Sequence, residues 1–508
     1  MDTNNKTIAK NTLFLYFNML VTMIVSLYTS RVVLQILGIE DYGIYQAVGG
    51  IVGLLSFINN ALATGTSRFL TFGLGEGNID KLKKIFATVL TSHIILAFII
   101  VLLAETAGLW FLYNKLMIPN ERMDAAVYTF HLSIITAFFT LTQVPYNASI
   151  IAHERMNIFA YVSIVDAFSK LLIVYALTIG GYDKLKLYAT LLCILQIDII
   201  LFYRFYCSRN FCETRFRLCF RKDIFREIAG FSGWSMFASS ALALNNQGAL
   251  LILNMFFAPS VVAARAISIQ VNMHAYQLVS NFQTAAVPQI VKRYASKDFE
   301  GSKQLLLQTA RFSYYIMLAM SLPIVLLSEE LLTLWLEVVP DYTVIFLQIV
   351  IVQGLFQVFD TTFYYALYSK GQLKQNALLS PSLLFIQFPI VFLLFKAGFS
   401  PVALSWSSLV VYALLGILVK PFLLIKICDY HWFDIFTVFR PCIKVTLASL
   451  PLPLVAYYFL HGNISLIITF IAIATISVIS ALCASWYLGL DAQMRSKFIN
   501  VISKKMCL

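Results

Sequence analysis

The sequence predicts an all-helical integral membrane protein of about fourteen transmembrane helices. Of its 508 residues, 60% are hydrophobic and 12% are charged, and the mean hydropathy is +0.80. A soluble domain averages about 25% charged residues, so this chain has roughly half the charge needed to cover a soluble surface. Runs such as 13–33, 85–103 and 464–488 reach the length of about 20 apolar residues that spans the hydrocarbon layer as a helix.

The apolar runs divide the chain into fourteen predicted spans. They cover residues 11–36, 44–70, 84–106, 125–151, 157–179, 185–207, 227–257, 261–288, 304–328, 342–368, 376–397, 401–426, 441–460 and 464–488. The first run is too long for the apolar part of a signal peptide, so we expect it to remain as the first span.

The distribution of basic residues predicts the orientation. Cytoplasmic loops of membrane proteins are enriched in Lys and Arg, and here alternate loops with both termini hold about 27 of the 37 basic residues. Both termini are therefore expected in the cytoplasm. The same bias accounts for the net charge of +12 without a nucleic-acid partner, and none is expected.

Two halves of the chain resemble each other. Segment 67–84 resembles 288–304, and 104–112 resembles 328–336; each pair contains a short polar turn or a tryptophan at a matching place. Apolar segments align easily by chance, which is the alternative, but the matched turns with Trp110 and Trp335 favour a true repeat.

The repeat predicts the domain organisation. The expected parts are an N-terminal six-helix lobe (1–207), a basic cytoplasmic linker (208–226), a C-terminal six-helix lobe (227–428), and two extra transmembrane helices with a basic cytoplasmic tail (429–508). Because each repeat has an even number of spans, both lobes insert the same way up. They would be related by a pseudo-twofold axis along the membrane normal, with a central cleft suited to alternating access.

Charged side chains inside the spans need a partner or a function, since one at the bilayer centre costs roughly 2.5–3.5 kcal/mol on insertion scales. The candidates are Arg31, Arg68, Lys170, Arg265, Arg311, Asp166, Asp198 and Asp360. Snorkelling to the interface is the alternative for Arg68 and Arg311, and a packing network is the alternative for Asp198. Asp166 and Lys170 are four residues apart on one helix, which favours a mutually neutralising pair.

The eighth span is polar on both sides and is therefore expected inside the bundle, against a water-filled space. With the polar stripes of spans 1, 2 and 7, it would line one cavity. The predicted substrate-binding residues are Arg31, Asn60, Arg68, Arg265, Asn272, Tyr276 and Gln283. Asp166, Lys170 and Asp360 are candidates for ion coupling.

No motif indicates an enzyme, a cofactor or a metal site. The six histidines form no paired-ligand spacing, and Cys207, Cys212 and Cys219 match neither a zinc nor an iron–sulfur pattern. No phosphate-binding loop or nucleophile elbow is present in the sequence. A transporter driven by a gradient or by its substrate is expected.

A cleft lined by arginines suits an anionic, hydroxyl-rich cargo. Each unpaired hydroxyl costs about 2–7 kcal/mol on leaving water, and a diphosphate costs far more. Arginine pairs well with phosphate oxygens. A lipid-linked sugar would keep its tail in the bilayer while its head crosses through the cleft.

Segment 30–51, SRVVLQILGIEDYGIYQAVGGI, resembles the signature between the first two spans of bacterial polysaccharide flippases. These are Wzx-type O-antigen and capsule exporters of the multidrug, oligosaccharidyl-lipid and polysaccharide exporter superfamily. The core of the signature is Leu37, Gly38, Asp41, Tyr42 and Gly43. The resemblance implies translocation of an undecaprenyl-diphosphate-linked oligosaccharide to the outer leaflet. It also implies membrane lipids, glycosyltransferases and a polymerase of the same pathway as partners.

The resemblance assigns roles to three arginines. Many relatives carry a basic residue three positions before the glycine of the core, where this chain has Gln35, and Arg31 lies one turn earlier. Arg265 is similar to the second-lobe arginine of these flippases, and Arg68 to a basic residue that ends the second span.

Two other functions stay open. A drug or small-cation antiporter of the same superfamily would favour acidic residues in its cleft, whereas the unpaired charges here lean basic. A membrane polysaccharide polymerase or ligase would carry a sizeable outer loop, whereas the predicted outer loops are short.

Overall fold

The computed structural model describes residues 3–54, 56–75, 78–153, 155, 157–179, 181–216, 219–336, 338–372, 374–461, 465–491 and 495–496. At some of these positions only the backbone is described, among them residues 3–19, Asn60 and Arg68.

The described residues form helices joined by short turns, with no strand. The helices are α1 (Thr3–Leu54), α2 (Ser56–Gly75), α3 (Ile79–Leu103), α4 (Leu109–Lys115), α5 (Met123–Ala152), α6 (Asn157–Ala176), α7 (Lys184–Asn210), α8 (Lys222–Ala243), α9 (Ala249–Phe256), α10 (Pro259–Ala295), α11 (Phe299–Leu326), α12 (Ser328–Leu336), α13 (Thr343–Lys370), α14 (Lys374–Lys396), α15 (Val402–Leu414), α16 (Lys420–Cys428), α17 (Trp432–Ser449), α18 (Pro451–Leu460) and α19 (Leu466–Ala484). Four π-helical segments lie between or after them: Ala104–Gly108, Leu244–Gly248, Leu415–Val419 and Ser485–Gly489.

This architecture confirms the predicted all-α membrane fold, with fourteen long helices in the part of the chain that the structure describes. Ten helical stretches in the described part of the chain are long and apolar enough to cross a membrane, the shortest having 23 residues and the longest 37. Large apolar side chains face outward along them; Phe98 and Leu102 of α3, for example, are both exposed. Such a surface is stable against lipid, because acyl chains solvate it and each helix satisfies its own backbone hydrogen bonds.

The chain forms two compact units, Met1–Ala266 and Ile267–Leu508. The boundary falls inside α10, so α8, α9 and the first residues of α10 belong to the first unit. The lobe boundaries predicted at 207 and 227 stay a prediction.

In the first unit, α5 is the central helix and packs against α2, α3 and α7. Two apolar clusters fill the space between these helices. Phe130 of α5 lies in one of them and Phe86 of α3 in the other, and both rings are fully buried.

In the second unit, α13 is the central helix and packs against α11, α15 and α16. Phe359 and Phe363 of α13 stack at 6.0 Å in its core, and Phe439 of α17 meets Phe359 edge-on at 5.0 Å. The C-terminal helices α17 and α19 pack against α11, so they are an integral part of this unit.

Local structure in the two units supports the predicted repeat. Helix α3 is capped by Asn78, whose side chain accepts a hydrogen bond from the Lys81 amide at 3.0 Å. Helix α11 is capped by Asp298, which accepts from the Gly301 amide at 2.9 Å. A capped start of this kind satisfies one of the free amides of the first turn. Each of these helices is then interrupted near its far end and continued by a short helix, α4 or α12.

Candidate functional site

The glycines of the signature segment have structural roles in the first unit. Gly38 has a φ of +83°, which separates two helical stretches within α1 and which a residue with a side chain rarely adopts. At Gly43, an added Cβ would overlap the backbone carbonyl of Pro259, the first residue of α10. Tyr42, between them, is buried. These residues set the path from the first span to the second and allow α10 to approach.

The aspartate of the signature segment is part of an ion-pair cluster centred on Arg122. The guanidinium donates to both oxygens of Asp41, at 2.8 and 2.6 Å, and to both oxygens of Asp183, at 2.6 and 3.2 Å. Asp183 caps α7 and also accepts from the Lys186 amide at 3.1 Å. The cluster therefore connects α1, the start of α5 and the start of α7.

The Arg122 cluster also sets the charge state of Asp183. Partial burial raises the pKa of this carboxyl, but the hydrogen bonds from Arg122 and from the Lys186 amide outweigh it, and the pKa lies below its ordinary value. Asp183 is thus ionised at neutral pH and holds the guanidinium in place.

The three arginines predicted to bind substrate, Arg31, Arg68 and Arg265, all lie in the first unit. Arg31 is half-buried in α1, two turns before the break at Gly38. Arg265 lies in α10, and only 4% of it is exposed. Asn60 and Arg68 lie on α2, and their side chains are outside the described part of the structure. The shared binding space expected for these four residues stays a prediction.

A cavity of about 350 Å³ lies inside the first unit. Lys170 of α6 lines it and forms an ion pair with Asp166 at 2.7 Å, as the four-residue spacing predicted. Ser133, Thr136 and Thr140 of α5 also line it, and each donates its hydroxyl proton to the carbonyl four residues earlier. The three hydroxyl oxygens can therefore still accept hydrogen bonds in the cavity, which also contains the neutral ion pair of Lys170 with Asp166.

In the second unit, one polar face of α10 packs against α13. Buried Ser268 donates to the Thr343 carbonyl at 3.2 Å, and the Tyr276 hydroxyl lies 2.7 Å from the Thr361 hydroxyl. Gln283 is fully buried and donates to the Val358 carbonyl at 3.1 Å and to Thr362 at 2.8 Å.

Asn272 takes part in the same helix contact. Its side-chain oxygen lies beside Gly354 of α13, where an added Cβ would come within 3.2 Å of it. Asn272, Tyr276 and Gln283 were predicted to line the cavity, and the structure places all three along the contact between α10 and α13. Polar side chains are common at such contacts, because they hydrogen-bond across two helices in an apolar surrounding.

The ammonium of Lys420 lies inside the second unit, against Asp360. The distance to Oδ1 of Asp360 is 3.2 Å, and the side chain of Lys420 is 3% exposed while that of Asp360 is 22% exposed. The ammonium also donates to the side-chain carbonyl of Asn376 and lies 5.5 Å from the ring centroid of Tyr364. Helices α13, α14 and α16 thus meet at one buried cation.

Lys420 falls inside the predicted span 401–426 but is absent from the charged residues singled out from the sequence, so this arrangement was missed. Lys420 directly follows the π-helical segment Leu415–Val419, which holds an extra residue per turn and so changes the direction of the side chains that follow. The available signal was its position near the end of an apolar run, directly before Pro421.

The described residues were also compared with the arrangements that a metal site or a disulfide requires. No group of three or more His, Cys, Asp or Glu side chains among them is arranged to hold a metal ion. Cys207, Cys212 and Cys219 are present as free thiols.

These features define a multi-pass membrane protein with polar and charged groups packed between its helices. Neither the models of known protein families nor the curated proteins give a match to this sequence.

Solved structures of transporters share the fold. Lipid II flippase MurJ, in an inward closed conformation, aligns with a TM-score of 0.72 at 11% identity, over 93% of this chain and 98% of MurJ. An inward-facing multidrug resistance transporter of the MATE family, in the MOP superfamily, aligns with a TM-score of 0.67 at 13% identity, over 80% of this chain and 95% of the other. The MATE multidrug transporter DinF-BH aligns with a TM-score of 0.58 at 18% identity, over 81% of this chain and 93% of the other. At such low identity these similarities establish the fold.

Proposed function

We propose that this protein flips a lipid-linked oligosaccharide diphosphate from the cytoplasmic to the outer leaflet of the bacterial inner membrane. It would do so by alternating access, for surface polysaccharide synthesis, with both termini in the cytoplasm. Glycosyltransferases would supply the cargo and a polymerase would consume it. The observation that carries the proposal is Arg265 on α10, an arginine of which only 4% is exposed.

The chemistry of that position favours an anionic cargo. Charged side chains inside the membrane are costly, and they commonly mark a substrate or ion pathway. Arginine offers five donors in a planar fork, which matches phosphate oxygens. Arg31, half-buried on α1, would supply a second fork, as the resemblance to polysaccharide flippases implies.

The similarity to MurJ supports the same cargo class. That protein is a lipid II flippase, and its alignment covers 93% of this chain, whereas the two MATE alignments cover 80% and 81%. Because the flippase aligns over more of this chain than either multidrug transporter does, a lipid-linked cargo is the class that we propose.

The second candidate is the antiport of a drug or small cation, which the similarity to two multidrug transporters favours. Such a carrier needs a carboxylate that is available to a cation. The two intramembrane carboxylates that were candidates for ion coupling each have a lysine partner, Asp166 with Lys170 at 2.7 Å and Asp360 with Lys420 at 3.2 Å. Because each pair is already neutral, we rank this function second.

The proposal is tested with purified protein in vesicles that contain a labelled undecaprenyl-diphosphate oligosaccharide, whose sugar is cleaved by periodate added outside. Replacing Arg265 or Arg31 with Ala removes charged hydrogen bonds of about 1.5–3 kcal/mol each, and we expect flipping to slow roughly tenfold to a hundredfold. Arg209→Ala, an exposed basic residue at the end of α7, is the matched control. Wild-type rates in both arginine variants would refute the assignment.

Charge reversal separates the two candidates in cells. Arg265→Glu should abolish surface glycan and leave drug tolerance unchanged. A change in drug tolerance with normal surface glycan would favour the antiporter.

A further inference from the structure

We propose that Asp360 of α13 recognises the sugar hydroxyls of the cargo and that Lys420 is the residue that positions it. This inference rests on the proposed function. It also gives Asp360 a different role from ion coupling.

The ammonium of Lys420 is engaged by groups of its own unit. Its side chain is 3% exposed, and its ammonium is directed at the Asp360 carboxylate and the Asn376 side-chain carbonyl, beside the ring of Tyr364. The Asn376 carbonyl also accepts from Ser380 at 3.2 Å, which fixes its direction. The ammonium is therefore held from α13 and α14 together and has an internal role.

Asp360 lies at the edge of this buried group. Its side chain is 22% exposed, and the ion pair engages its Oδ1. An ionised carboxylate has about four lone-pair sites, so the ion pair leaves most of them available. An exposed carboxylate within a span is too costly to face lipid, so its open side faces water or cargo.

Gln357 and Thr361 lie within one turn of Asp360 on α13, and Tyr276 of α10 contacts both of them. The hydroxyls of Tyr276 and Thr361 are 2.7 Å apart, and the Tyr276 hydroxyl lies 3.5 Å from the Gln357 carbonyl. Tyr276, Gln357 and Thr361 are all partly exposed. We call Asp360, Gln357, Thr361 and Tyr276 the polar strip of the second unit; they carry carboxylate, carbonyl and hydroxyl oxygens and are each partly exposed.

The charge of this strip decides what it binds. The carboxylate keeps its lone pairs, but its charge is already balanced by Lys420. The pair therefore attracts neither a cation nor an anion strongly, whereas it can accept hydrogen bonds from a neutral ligand. Adjacent hydroxyls of a sugar ring are donors of that kind, and charged hydrogen bonds of this type are stronger than neutral ones.

The test compares two ligands in detergent with the full chain: undecaprenyl diphosphate, and the lipid-linked oligosaccharide extracted from cells that express this protein. We expect the wild type to prefer the sugar-bearing ligand by about tenfold or more, since each charged hydrogen bond contributes about 1.5–3 kcal/mol. The key variant is the double replacement Asp360→Asn with Lys420→Met. It removes both charges of the pair and leaves neither one buried alone.

Single variants serve as reference points for folding. Asp360→Asn leaves a buried ammonium without its acid, and Lys420→Met leaves the acid without its ammonium, so both should lower the thermal unfolding midpoint. The double variant should recover most of that loss. It should still bind undecaprenyl diphosphate, but its preference for the sugar-bearing ligand should be gone.

A second ion pair of the same unit, between the last residue of α13 and the residue that follows α16, provides the control. Lys370 and Asp429 lie 3.0 Å apart, and neutralising both should leave the preference unchanged. A double variant of Asp360 and Lys420 that keeps the wild-type preference overturns the inference and leaves the proposed function standing. A wild type that binds neither ligand overturns the proposed function itself. A sodium-dependent rise in the unfolding midpoint that disappears in Asp360→Asn would make the strip a cation site instead, and would also overturn the inference.

Discussion

Replacing Arg122 with Met tests whether the ion-pair cluster fastens the first unit. Arg122 donates four hydrogen bonds to Asp41 and Asp183, at distances between 2.6 and 3.2 Å. Methionine keeps much of the apolar stem and removes every donor. The two carboxylates would then face each other without a cation between them.

The loss in free energy of unfolding expected for Arg122→Met follows from the partial exposure of the cluster. The side chains of Arg122, Asp41 and Asp183 are 27%, 16% and 29% exposed. Breaking a fully buried ion pair costs about 3–5 kcal/mol, whereas surface pairs contribute about 0–1 kcal/mol. A cluster of two bidentate contacts at intermediate exposure should contribute roughly 2–4 kcal/mol.

The assay is thermal unfolding of purified protein in detergent at pH 7.5, with Lys184→Met as the control. Lys184 is an exposed cation in the first turn of α7, directly beside Asp183. We expect a clearly lower midpoint for Arg122→Met and an unchanged midpoint for Lys184→Met. Adding Asp41→Asn to Arg122→Met should restore part of the loss, because it removes one of the facing charges.

The pH dependence provides a second measurement on the same variant. The pKa of Asp183 is lowered in the folded protein, so its contribution to stability is present above the unfolded value of about 3.9 and is lost as the pH falls through the folded value. The difference in unfolding midpoint between wild type and Arg122→Met should therefore become smaller below about pH 4. Equal midpoints for the Arg122 and Lys184 variants at pH 7.5 would refute the role of the cluster.

Two further substitutions test close packing between distant parts of the chain. Gly43→Ala would push a Cβ into the carbonyl of Pro259 and should destabilise the first unit by about 1–3 kcal/mol or more. Gly49→Ala, where nothing lies within 4 Å, should be tolerated, and equal unfolding midpoints for the two would contradict the contact. Gln283→Leu removes two hydrogen bonds from α10 to α13 and should cost about 1–3 kcal/mol in the same measurement, whereas exposed Gln277→Leu should not; an unchanged midpoint for Gln283→Leu would show that this contact contributes little.

The signature segment has a structural explanation that does not require contact with a cargo. Gly38 allows the break in α1, Asp41 binds Arg122, and Gly43 leaves room for the start of α10. Gly38, Asp41 and Gly43 are therefore expected to indicate the fold.

Local features of the candidate site were predictable from the sequence. The ion pair of Asp166 with Lys170 follows from a four-residue spacing, because residues one turn apart lie on the same face of any α-helix. The polarity of α10 was also visible in the sequence. The sequence did not show which helix α10 packs against. In the structure, Tyr276 and Gln283, which were predicted to line the cavity, form hydrogen bonds with α13.

The sequence alone determined that this is a helical membrane protein built from two similar parts. Lipid offers no hydrogen bonds, so a long apolar run has to satisfy its own backbone as a helix, and the length of each run is a local property. Only the tertiary structure decided that Lys420 meets Asp360 and that Gly43 meets Pro259. In a membrane, lipid and protein interior are equally apolar, so hydropathy does not reveal which face of a helix turns inward. That choice depends on how helices distant in the chain pack together.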